Sequence, residues 1–155
     1  MPDKDTLQRV RRDRRQGKAP STQAGEFIRE EVHHIREGKH GARSAKQAVA
    51  IGLSKARRAG VELSPPKRGT TSAKARRGAE RASALARGAT PRRKPTDKRA
   101  RASEQALKRE RHDAASHAAL AAQTRRSARR RSPAARSAAA HKGASTRARE
   151  QRDAG

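Results

Sequence analysis

The chain has 155 residues, of which 41 are Lys or Arg and 15 are Asp or Glu, a formal net charge of +26. So large a surplus opposes compaction through self-repulsion and favours a polyanionic partner, because phosphate backbones release condensed counterions when neutralised. The absence of cysteine excludes disulfides and thiolate metal sites, and no apolar run approaches the roughly 20 residues of a membrane span, so a soluble, cytoplasmic chain is expected.

Residues 1–20 carry seven Lys/Arg and three Asp. Asp5 predicts the cap of a short helix, with Gln8 completing a capping box and Gly17 ending it before Pro20. The apolar face of this helix is only Leu7 and Val10, so the segment reads as a basic N-terminal arm.

Residues 21–63 differ, holding nine of the 15 apolar side chains larger than alanine. After Ser21 or Thr22 as N-cap, Ala24, Phe27, Ile28, Val32 and Ile35 recur at helical spacing. Glu26, Glu30 and Glu31 lie early in this helix and Arg36 late, as the macrodipole prefers, and Gly38 ends it. Ser44 caps a second helix, with Gln47 returning the bond. Ala45, Ala48, Val49, Gly52, Leu53 and Ala56 give that helix a face of small residues suited to close packing. Lys55, Arg57 and Arg58 fill its last turns, Gly60 suits the position after its end, and Pro65-Pro66 prevents continuation. The predicted module is a helix–turn–helix-like hairpin over 21–63. Its core is so small that homodimer formation or folding on binding would support it.

From residue 64 onward only Leu85, Leu107 and Leu120 are apolar and larger than alanine, while residues 67–155 carry 26 Lys/Arg against seven acids. Low hydrophobicity with high charge predicts a basic, Ala/Arg-rich tail over 64–155, disordered or transiently helical. Helical stretches are expected over Ser72–Arg87 and Ser103–Arg131, since Ala and Arg are strong helix formers. Pro91, Pro95 and Pro133 punctuate the tail. The fold class expected is all-α, a small helical hairpin with long basic flanks.

The link between the two hairpin helices reads Gly38-Lys39-His40-Gly41-Ala42-Arg43. A Gly-x-x-Gly turn lets backbone approach a phosphate closely, and the second helix points its free N–H groups the same way. Against this stands the plain role of glycines as helix stops. The nucleic-acid contacts predicted for the module are Gly38, Lys39, His40, Gly41, Arg43, Lys46, Lys55, Arg57 and Arg58. Arg76, Arg77, Arg92, Arg93, Lys94, Arg125, Arg126, Arg129, Arg130 and Arg131 would add diffuse contacts from the tail. Thr90-Pro91-Arg92-Arg93-Lys94 is similar to the Ser/Thr-Pro-basic units of linker-histone tails, and Ser132-Pro133 is a poorer copy.

His33, His34 and His40, with Glu30, Glu31 or Glu37, raise a metal question. Adjacent residues of a helix point about 100° apart, and no pair has the i, i+4 spacing that sets two imidazoles on one face, so no metal is expected. Carboxylates scattered among arginines offer no tuned acid–base pair, and the Gly-x-x-x-x-Gly-Lys-Ser/Thr loop is absent, so the chain reads as non-enzymatic, without cofactor or small-molecule substrate. Phe27 is the only aromatic residue. Stacking on single-stranded bases needs exposed aromatics, which favours duplex DNA over RNA.

The run GEFIREEVHHIREGKHGARSAKQAVAIGLSKARRAGVEL, Gly25 to Leu63, resembles a family of small basic bacterial proteins with a domain of unknown function, often labelled DNA-binding or plasmid-stabilisation proteins. The resemblance implies no catalytic residues. The function expected is a non-enzymatic, largely sequence-independent, nucleoid-associated DNA-binding protein acting through phosphate neutralisation. The alternatives are a structured-RNA or rRNA-assembly factor, and an adaptor recruiting a protein through the acidic helix face Glu26, Glu30, Glu31 and Glu37.

Overall fold

Five of the described helices begin at a capping hydroxyl, and the first four end at a glycine of positive φ. A computed structural model describes residues 2–89 and 96–153, and among these all regular structure is helical. The α-helices are α1 (Lys4–Arg15), α2 (Pro20–Arg36), α3 (Ala45–Arg58), α4 (Ala73–Ala86), α5 (Asp97–Lys108), α6 (His117–Arg129) and α7 (Pro133–Asp153), with a 3-10 turn over Asp113–Ala115. None of them is long and apolar enough to cross a membrane.

The hydroxyls of Ser44, Ser72 and Thr96 accept the Gln47, Ala75 and Arg99 N–H groups at the starts of α3, α4 and α5. The amide of Gln47 returns a bond one residue earlier than a capping box would, to the Arg43 N–H at 3.1 Å. α2 starts at Pro20, with Ala19 in the cap position in place of Ser21 or Thr22, because the proline ring is already set for the first helical residue. α3 shows how the helices stop. Gly60 takes φ +86°, its N–H bonds Arg57 O, and the next N–H, of Val61, bonds Ala56 O at 3.0 Å. That double closure turns Val61 back into the core, and α1, α2 and α4 end on Gly17, Gly38 and Gly88 in the same way.

The chain divides into two compact units, Met1–Ala119 and Leu120–Gly155. In the first, α2 and α3 form the hairpin. Gly52 permits its close approach, since a Cβ there would lie 2.7 Å from the Cα of Ile28. One core cluster joins Val10, Ala24, Phe27, Ala56 and Val61, with Leu7, Leu53 and Leu63 packed against it. Val10 and Leu7 come from α1, so the basic arm lies against the hairpin. A second cluster joins Ile35, Ala42, Ala48, Ala114 and Ala115. Its two last members come from the 3-10 turn, about 80 residues beyond α2, and Arg36 Nε reaches the Ala115 carbonyl at 2.9 Å. α4 packs on α3 through Ala79 and Ala82.

Two features of the tail depart from expectation. The helical stretch predicted over Ser103–Arg131 is two helices, broken at residues 109–116, where the chain docks on the α2–α3 turn. Pro133, expected only as punctuation, is the first residue of α7, and Ser132 Oγ accepts the Ala135 N–H at 3.2 Å. In the second unit α7 is exposed along nearly its whole described length.

Candidate nucleic-acid interface and the buried ion network

The candidate phosphate-contacting residues fall into two groups. Gly38, Lys39, Arg43, Lys46, Arg58 and Arg77 are exposed in the first unit, and Arg125, Arg126, Arg129, Arg130 and Arg131 are exposed in the second. Arg76 is half-buried and paired with Glu80 at 2.9 Å, and Arg92, Arg93 and Lys94 lie outside the described residues. The remaining candidates are used inside the fold. Arg57 is 7% exposed and donates through Nη2 to the Ser64 carbonyl at 3.2 Å, holding the chain after α3 against that helix. Burial lowers its pKa, though a guanidinium stays charged. The Gly41 N–H bonds Leu107 O at 2.8 Å and the Ala42 N–H bonds Arg111 O at 2.9 Å. A Cβ on Gly41 would overlap the Glu110 backbone, so the close approach that the glycine allows is made by the protein's own chain.

Lys55 and His40 belong to a buried ion network. Positions 27, 31 and 35 of α2 lie one above another at four-residue spacing, which sets Glu31 in the apolar stripe between Phe27 and Ile35. Glu31 is 0% and Glu30 4% exposed, so two of the four acids read as a docking face are internal, while Glu37 is exposed. Lys55 reaches across from α3 and bridges the buried pair, with Nζ 3.0 Å from Glu30 Oε1 and 2.8 Å from Glu31 Oε2. The other oxygen of Glu31 faces His40 Nε2 at 3.3 Å. Glu30 Oε2 accepts the Asp3 N–H at 3.0 Å, and Asp3 Oδ2 meets His34 Nε2 at 3.0 Å. Glu26, one turn before Glu30 on α2, pairs with Arg9 of α1. Glu26, Glu30 and Glu31, read from the sequence as complementing the helix dipole, lie beyond the first turn of α2 and instead tie α1, α3 and the turn to it.

Burial by itself would raise the Glu30 pKa, but the Asp3 N–H and Lys55 outweigh it and the net shift is downward. Burial likewise opposes the charge on Lys55, and Glu31 and Glu30 reverse it, leaving the pKa raised. Asp3 is lowered, chiefly by its bond to His34. A lowered carboxylate contributes stability that is present above its ordinary pKa and lost as pH falls through the folded value; a raised lysine contributes stability lost only as pH rises through its own. The contribution of Glu30 and Lys55 is therefore expected to hold between 4.5 and 10.5, with loss beginning below the lower limit. Melting temperatures followed by circular dichroism down the acid limb check this. Glu30→Gln should lower the neutral-pH value and flatten the limb, and an unaltered limb would remove Glu30 as its source.

Compared with known proteins, the chain matches no family model, no curated protein and no solved structure.

Proposed function

We propose that the protein is a non-enzymatic, nucleoid-associated binder of duplex DNA that works by neutralising phosphates without reading bases. The observation that carries this reading is the separation of charge. Glu26, Glu30 and Glu31 of the hairpin are paired within the fold, while the cations of α6 and the following residues, Arg125, Arg126, Arg129, Arg130 and Arg131, face solvent. Residues 120–155 hold ten Lys/Arg and two acids, a net +8 from 10 − 2, on helices with little apolar surface to bury. Such helices gain most from a polyanion that relieves their self-repulsion.

The test is the salt dependence of binding to random-sequence duplex DNA. Each neutralised phosphate contributes about −0.9 to the slope of log affinity against log salt, and a slope of about −5 or steeper is expected for six or more contacts. Removing residues 120–155 should weaken binding and flatten the slope, and a slope near zero in the full chain rejects the proposal. Run alongside at about 150 mM salt, a structured RNA of equal length should bind no more tightly than the duplex; tighter binding would move the function to RNA.

A further inference from the structure

Two histidines far from i, i+4 spacing meet because the turn after α2 folds back over it. The rings of His34 and His40 stand edge to face with centroids 6.3 Å apart. A ring nitrogen of each and a carboxylate oxygen of Glu31 all lie within 4.8 Å of one another. Glu31 is fully buried, yet neither of its oxygens has a hydrogen bond of good geometry; the contacts are the ion pairs with Lys55 on one oxygen and His40 on the other. Lys55 occupies the Oε2 side, which leaves Oε1 directed at His40.

The chemistry of His40 sharpens the point. Its Nδ1 lies 3.1 Å from the Gly41 carbonyl, which can only accept, so Nδ1 carries the proton. Nε2 then faces a carboxylate oxygen 3.3 Å away. A proton on Nε2 or a metal ion held by both groups would satisfy this contact. An imidazole with one nitrogen tied to a backbone carbonyl and the other turned inward is also the way metal-ligating histidines are held. His34 is held by a carboxylate, Asp3, which together with Glu30 and His34 forms a second such ligand group. The charge agrees. Asp3, Glu30 and Glu31 gather three carboxylates here, and the one ammonium paired with them among the described residues is that of Lys55, on Glu30 and Glu31.

We propose that Glu31, His34 and His40 bind one divalent transition-metal ion of the zinc class, with Asp3 placed as outer partner or fourth ligand. Imidazole and carboxylate donors suit zinc, whereas calcium and magnesium prefer shells of oxygen. Tetrahedral zinc at about 2.1 Å holds its donors about 3.4 Å apart, so the three must close by at most about 1.4 Å. The ion would lock the α2–α3 turn onto α2, independently of any nucleic acid.

The experiment is titration of the chelator-stripped full chain with zinc chloride in a calorimeter, with cobalt(II) as a spectroscopic substitute. One ion per chain with a dissociation constant of about 1 μM or tighter is expected, together with a rise in melting temperature and intense visible cobalt bands of a four-coordinate site. His34→Asn and His40→Asn should each weaken binding at least about 100-fold, while His33→Asn, exposed and outside the cluster, should leave it unchanged. Absence of saturable uptake in the unmodified chain, or only the pale spectrum of six-coordinate cobalt, overturns the proposal without reference to any variant. So does uptake that survives in His34→Asn and His40→Asn, or that falls equally in His33→Asn.

Discussion

Replacing Lys55 with methionine is expected to cost about 3–5 kcal/mol of stability, the usual effect of removing one partner from a buried ion group. Methionine keeps the aliphatic stem and its packing, so the loss comes from Glu30 and Glu31, left buried on one helix without the ammonium that bridges them. Small domains have about 5–15 kcal/mol in all, so the variant should be largely unfolded at temperatures the parent tolerates. Urea denaturation followed by circular dichroism measures it, with Arg58→Met, three residues on and exposed, as the control expected to change by no more than about 0.5 kcal/mol. The partner variant Glu31→Gln should restore part of the loss when combined with Lys55→Met, because it removes the charge that Lys55 served. A Lys55→Met protein within about 1 kcal/mol of the parent would show that water or a cation carries the carboxylates instead.

That half-buried lysine also marks the limit of what the sequence makes legible. Helix starts and stops are local events, and Ser44, Ser72, Gly17, Gly38 and Gly60 display them openly. α2, α3 and α4 therefore sit close to where capping and periodicity place them. Lys55 reads locally as a cation complementing a helix C-terminus, and nothing within four residues betrays its partners, which lie 24 and 25 positions earlier. A signal did exist on the other side. Glu31 falls midway between Phe27 and Ile35 on one stripe, and a charge in the middle of an apolar stripe needs a partner inside the fold. The docking of residues 107–115 has no comparable sign, because Ala114 and Ala115 are indistinguishable from the many other alanines of the tail. The same limit applies to His34 and His40, whose meeting depends on the path of the turn rather than on helical spacing.

The two glycines of the turn allow a sharp separation of roles. Gly41→Ala should detach residues 107–115 from the hairpin, while Gly38→Ala should leave that contact in place. Gly38 has φ +74° and open space around it, with His112 Cε1 at 3.8 Å the one atom of the described residues near an added Cβ, so alanine there costs about 1 kcal/mol of local strain. At Gly41 the obstacle is the Glu110 backbone, which no side-chain rotation relieves. Separation breaks the bonds from the Gly41 and Ala42 N–H groups, each about 1 kcal/mol net, and uncovers Ala114 and Ala115 beside Ile35, so about 2–4 kcal/mol of docking is lost. Helical content should fall little, because α2 and α3 close on each other without this segment. Hydrogen exchange at the residue 42 amide and proteolysis near residues 108–113 should both accelerate in Gly41→Ala and not in Gly38→Ala. DNA affinity should change little in either, since the net +19 of residues 67–155 (26 − 7) is untouched. If Gly41→Ala instead keeps residue 42 protected but loses DNA affinity, the turn contacts phosphate, and the cations of the hairpin, rather than those of α6 and α7, would be the seat of binding.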